Sequence, residues 1–240
     1  SFELTPNTHV TKIQLSLAGG AATGNSDPSL AAQTQVLVMP PVRGHENLIG
    51  WWWFDDAKGT SVTNATGTVP GILKDGTDWT TTAKFGTAVE FDGIGETVDL
   101  GTDPGLSNAE KFSVSFWFRR NQDLISWSEN DVNNVMLSLR GSNGSSLEIG
   151  TEGYKAEIFL TTEEKSERIM PSADIANGQW HHIAIAYDAS REDELQIYID
   201  GVSRGKWSQF GGKLLVDADA SLYLALADPA HPSKGQFEGI

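Results

Sequence analysis

The amino-acid sequence predicts an all-β protein, a two-sheet antiparallel sandwich. Three observations point there. Short apolar or alternating runs recur between clusters of Gly, Asn, Asp and Ser; β-branched and aromatic residues are enriched in those runs; and helical i, i+3, i+4 spacing is confined to residues 107–111. Strands are expected at 9–17, 35–38, 50–54, 88–91, 96–99, 112–119, 134–140, 146–150, 155–160, 167–170, 181–187, 194–199, 202–207 and 221–226. So many strands with short turns imply two packed sheets.

The first element reads "HVTKIQLSL". Val10, Lys12, Gln14 and Ser16 alternate with Thr11, Ile13, Leu15 and Leu17, which gives the single apolar face of an edge strand. Residues 18–32 are small and polar, and a proline pair follows at Pro40 and Pro41. Residues 1–46 therefore read as an N-terminal β-strand extension and linker, and 47–240 as the main domain, with a strand of the same sandwich as the other reading of 10–17.

The next segment, "GWWWFDD", raises the sharpest question of the chain. On a strand Trp51 and Trp53 point one way and Trp52 and Phe54 the other, so the four rings cannot share one exposed face. At least one pair is expected in the core, where a fully buried aromatic contributes about 2–3 kcal/mol. The competing reading makes Trp51 or Trp52 a stacking platform for a sugar, a flat apolar ring with an N–H for a hydroxyl.

Further along, "FSVSFWFRR" places Trp117 on a strand whose neighbours on the same face are apolar or small, and Trp117 and Trp180 are both expected in the core. In "WHHIAIAYD" the residues Trp180, His182, Ala184 and Ala186 share one face while His181, Ile183, Ile185 and Tyr187 share the other; both faces are apolar or aromatic, as in a central strand. Asp200-Gly201 between two alternating runs signals a two-residue hairpin, and Asp92-Gly93 after "VEF" has the same turn chemistry.

Composition narrows the function classes. At 240 residues the chain can bury roughly 70–75% of its extended surface without covalent staples. It has no cysteine, which excludes disulfides, thiolate metal sites and a cysteine nucleophile. A net charge of −15 with no basic cluster repels phosphate backbones and anionic lipids, so nucleic acid is not an expected partner. No apolar run approaches a membrane span, and the N-terminus, which lacks Met, reads as mature or trimmed.

Several segments resemble, in order, the LamG-like (laminin-G-like or pentraxin-like) concanavalin A-like lectin/glucanase superfamily of bacterial extracellular proteins. They are "GWWWFDDAKGTSVTNATG", "AKFGTAVEFDGIGETVDLG", "FSVSFWFRR", "GQWHHIAIAYDASREDELQIYIDG" and "GQFEGI", and the resemblance spans about four fifths of the chain. The resemblance implies a jelly-roll sandwich and a non-catalytic extracellular or cell-surface module that recognises glycan or protein. It also implies a final strand, opened by "FEGI", lying beside the opening aromatic strand. Ligand-binding candidates are Trp51, Trp52, Asn143 and Asp228, the last two by position in the loops that carry calcium in the pentraxin-like branch; there Ser142 stands where that branch has Asp.

Calcium favours six to eight oxygens on acidic loops, and Asp55 and Asp56 beside the opening strand are candidates for a separate Ca²⁺ site. Hydrolytic machinery is not expected. The nearest approach to a glycosidase E-x-D-x-x-E pattern is Glu129, Asp131 and Asn134, whose third member lacks the carboxylate. The histidines form no HExxH, and no G-x-S-x-G elbow or Walker A motif occurs. Asn64 and Asn143 lie in glycosylation sequons. The alternatives to a recognition module are a structural subunit of a surface layer or fibre that self-associates by strand donation, and an accessory domain of a glycan-degrading enzyme.

Overall fold

A computed structural model describes residues 47–67, 69–102, 105–120, 134–226 and 237–240; the strands expected at 9–17 and 35–38 lie outside them. Two antiparallel layers result from the alternating runs. The larger contains, in spatial order, β1 (Ser61–Val62), β2 (Gly71–Lys74), β5 (Thr97–Thr102), β14 (Ser221–Leu224), β7 (Asn134–Gly141), β8 (Gly144–Glu152), β9 (Lys155–Thr161) and β10 (Ser166–Ile169). The other has four strands, β13 (Val202–Trp207), β12 (Leu195–Ile199), β11 (Trp180–Asp188) and β6 (Lys111–Arg119), and three more, β15 (Glu238–Gly239), β4 (Ala88–Asp92) and β3 (Asp78–Thr80). These two groups form one continuous layer, because Arg119 and Ile240 exchange both backbone hydrogen bonds, at 2.7 and 2.9 Å, and Arg120 bridges Gly239.

The apolar residues of both layers meet between them. Leu139, Leu147, Ile149 and Ile158 come from the larger layer and Phe118, Ile183, Ile185 and Ile197 from the smaller, all buried in one cluster. Two polar groups anchor this core. The buried Tyr187 donates its hydroxyl to the Gly212 carbonyl at 2.7 Å, and burial pushes its phenol up to about 12. Arg120 donates to Thr151 Oγ1 at 2.5 Å and to the Gly153 carbonyl at 2.6 Å, tying the end of β6 to the β8–β9 turn; burial lowers its guanidinium to about 10.

The expected hairpin at Asp200-Gly201 forms, with φ of 53° and 75° at its two central residues. The carboxylate also holds the strand beside it. Asp200 accepts the His182 N–H at 2.9 Å and lies 2.8 Å from His181 Nδ1, while His181 Nε2 meets Asn177 Oδ1 at 2.9 Å. β11 is central as expected, between β12 and β6. The Asp92-Gly93 turn does not close a hairpin: it carries the chain from β4 in one layer to β5 in the other.

Three expectations are corrected. Residues 50–54 form no strand, only a bridge from Trp52 to Asn64, because Phe54 adopts a φ of 56° and the Trp52 ring folds back over Gly50. The "FEGI" strand does not lie beside the opening aromatic segment; Glu238 and Gly239 pair with Asp92 and Phe91 of β4. Trp117 is not in the core but 41% exposed, and Trp180 is half-buried. The inward positions of β6 are Phe112, Val114, Phe116 and Phe118, and Trp117 shares its face with Ser113 and Ser115.

Candidate functional site: an aromatic cleft between two strands

The opening segment is held by side chains instead of a ladder. Asn64 Oδ1 accepts the Trp51 N–H at 3.1 Å and both N–H and O–H of Thr66, while Ala65 N–H donates to the Trp51 carbonyl at 2.8 Å. At the other end Thr87 donates its N–H to Asp55 Oδ1 at 2.9 Å and its hydroxyl to the Phe54 carbonyl at 2.7 Å. The rings still divide in pairs: Trp51 and Trp53 meet edge to face at 5.3 Å, while Trp52 and Phe54 pack on the core. Trp53 is 57% exposed, and Trp52 Nε1 is buried without a hydrogen-bond partner.

Beside this segment the outer face of β6 and β11 carries a second aromatic group. Trp117 lies across the ladder from His182, ring centres 5.2 Å apart, and meets the 69% exposed Phe85 edge to face at 5.9 Å. Lys84 Nζ sits 4.7 Å from the Trp117 ring centre, and the Arg119 guanidinium 5.6 Å from that of Trp180. Burial keeps His182 below the ordinary histidine value against the opposing pull of Asp200, and its ring packs on Trp117. Between the two groups opens a cleft of about 450 Å³, with Trp51, Trp53, Phe85 and Trp117 among its walls and Met136, Leu222 and Leu224 of the larger layer at its base.

The other predicted residues lie elsewhere or are otherwise engaged. Asp56 accepts the Thr63 N–H at 2.8 Å and its hydroxyl at 2.5 Å, so Asp55 and Asp56 are committed to different loops. Asn143 gives its backbone N–H and its side-chain amide to the two oxygens of Asp217, at 2.8 and 2.9 Å, and Ser142 N–H donates to Asp219 at 3.2 Å. Those Asn143 contacts hold the Asp217 carboxyl below its ordinary value. Each of these carboxylates accepts at least one N–H, and among the described residues no group of three His, Asp or Glu side chains converges. Asp228, Glu129 and Asp131 lie outside the described residues; Asn134 begins β7 and is buried.

Of the two sequons, the Asn64 side chain is buried at the hub of the opening loop and the Asn143 side chain is exposed. Two buried carboxylates escaped the sequence reading: Glu148 on β8 and Glu157 on β9, the latter paired with Arg168 Nε at 2.6 Å. Lys84 and Phe85 were also missed. Their only signal was a large apolar residue in a Gly- and Thr-rich loop.

A family model described as the concanavalin A-like lectin/glucanases superfamily matches residues 92–239. Among solved structures, domain 4 of AbnA, a GH43 extracellular arabinanase from Geobacillus stearothermophilus in complex with arabinotriose, is 19% identical at a TM-score of 0.51 over 73% of this chain and 81% of that one. The binding domain of Paraclostridial Mosquitocidal Protein 1 is 13% identical at a TM-score of 0.56, over 78% of this chain and 49% of that one. A botulinum neurotoxin type C structure is 17% identical at a TM-score of 0.53, over 78% and 44%; that toxin is described as depending on two ganglioside molecules to enter cells. At these identities the likeness is one of fold, and the chain spans about half of the two toxin chains or less. Comparison with curated proteins found no match.

Proposed function

The chain belongs to the concanavalin A-like lectin/glucanases superfamily, and from that premise we propose that it is a non-catalytic, extracellular recognition module whose ligand, a glycan or another protein, enters the aromatic cleft. The observation that carries the reading is the exposure of Trp53, Phe85 and Trp117 around one concavity, 57%, 69% and 41% respectively. Large rings left in water beside a cleft with an apolar base are what a binding surface needs and a packed core avoids. The arabinotriose and ganglioside named for the structural neighbours give the glycan reading support from proteins of the same fold. No helix among the described residues is long and apolar enough to cross a membrane.

Binding to a glycan array, read with and without calcium, tests the proposal together with Trp53→Ala and Phe85→Ala. Each variant should weaken binding by about tenfold, the effect of losing one aromatic contact of about 1.4 kcal/mol. Full binding by both would remove the cleft as the site.

A further inference from the structure

His181 ties three separate segments of the chain together through one small ring. Its Nδ1 lies 2.8 Å from Asp200 Oδ2, in the turn between β12 and β13, and its Nε2 lies 2.9 Å from Asn177 Oδ1, in the bend that leads into β11. The ring packs on Phe118 of β6 at 6.1 Å between centres, and the side chain is 12% exposed. Both nitrogens therefore face oxygens. Asp200 can only accept, because its carboxyl sits below the ordinary aspartate value and is ionised at neutral pH. Asn177 is fixed in the same sense. Its Oδ1 also accepts the Gln179 N–H at 3.0 Å, so an amide turned the other way would set its own N–H groups against that donor.

A neutral imidazole has one N–H and serves one of these two oxygens; imidazolium has two and serves both. With a single proton the ring keeps its N–H on the carboxylate, the charged and stronger acceptor, and the bare Nε2 then meets the Asn177 oxygen lone pair to lone pair. We propose that His181 is a proton-operated latch: doubly protonated, it fastens the bend at residues 177–179 to the β12–β13 hairpin, and loss of the Nε2 proton to solvent releases the bend while the hairpin stays held. Charge around the ring comes from one side. Asp200 faces it from the hairpin, with Arg204 of β13 acting on that carboxylate, and His182 follows it on β11; Phe118 of β6 and Asn177, Gly178 and Gln179 of the bend are uncharged. The latch is closed over a window of pH. Its acid limit is the protonation of Asp200, below 3.8, and its alkaline limit is the loss of the ring proton, the step that histidine side chains undergo nearest to neutral pH.

The test follows the histidine ring nitrogens of the ¹⁵N-labelled full chain by NMR from about pH 5 to 9, with amide hydrogen exchange over the same range. His181→Gln identifies the His181 signals; should that variant not fold, ring contacts to Phe118 identify them in the parent. Both nitrogens should carry protons at the acid end, and the proton lost on titration should come from Nε2. Exchange at Gln179, corrected for its intrinsic pH dependence, should quicken by about tenfold across that same titration, while His182, whose N–H is held by Asp200, should change by less than about twofold. Asn177→Asp keeps an oxygen at the contact and adds a charge, and should move the release to higher pH by about one pH unit. A ring that stays singly protonated at the acid end with the fold intact would overturn the proposal. So would a proton retained on Nε2, or Gln179 exchange that shows no step with the titration.

Discussion

Trp52 shows how a single residue can set the path of the opening segment. Its ring lies so close over Gly50 that a Cβ there would sit 2.2 Å from it, so any side chain at position 50 would have to displace the ring. The ring packs on the core, but its Nε1 is buried with no acceptor. A buried donor left unpaired costs about 1–3 kcal/mol, whereas the ring itself contributes packing. Trp52→Phe should therefore melt close to the parent, while Trp52→Ala should lose about 3 kcal/mol or more in denaturant unfolding. A second residue makes a pH-dependent contribution. Burial would raise the Asp200 carboxyl, but the His182 N–H and the His181 imidazole outweigh it, and the group ends below the ordinary aspartate value of 3.8. A carboxyl depressed in the folded state stabilises above its unfolded value and loses that contribution as pH falls through the folded one. Asp200→Asn should thus be less stable than the parent at pH 7, with the gap closing below about pH 4 in thermal melts; a gap constant with pH would assign the effect to the turn alone.

At the scale of elements, β6 and β11 show which parts of the fold were legible. Period-two alternation assigns residues to faces, and it gave β11, the Asp200-Gly201 hairpin and β13 with little error. It does not say which face is the core. Ser113 and Ser115 beside Trp117 marked an outward face, yet the ring drew the strand reading inward. The opening run failed differently, since Phe54 with positive φ and an Asn64 hub replace ladder bonds by side-chain contacts that no periodicity reports. The short strands β1, β2, β3 and β15 carry too few residues to show alternation, and the cleft joins loops far apart in the chain, so its Phe85 and Lys84 had no pattern to betray them. The face assignment makes a quantitative prediction on one strand. Phe118→Ala, at a position 3% exposed, should cost about 3–5 kcal/mol, and Trp117→Ala, 41% exposed, roughly half of that or less. Equal losses in paired denaturation curves would put Trp117 back in the core.

For the molecule as a whole, charge is the dominant surface property, and it acts on divalent cations with or without a site. The chain carries 32 Asp and Glu against 17 Lys and Arg. Any divalent cation will therefore screen like-charge repulsion and raise the melting temperature somewhat, without any site. A calcium site would act differently: it would stabilise by mass action, rising with the logarithm of calcium concentration above its dissociation constant, and would discriminate against magnesium, which demands a smaller octahedral shell. The carboxylates near the expected loops are bound to N–H groups, Asp217 by Asn143, Asp219 by Ser142, Asp55 by Thr87 and Asp56 by Thr63. The melting temperature in about 2 mM calcium should accordingly match that in equal magnesium at the same ionic strength within about 1 °C, and EDTA should leave it where sodium chloride alone sets it. A calcium-specific rise of several degrees, abolished in Asp217→Asn, would show that those loops open to take the ion and that recognition is calcium-assisted after all.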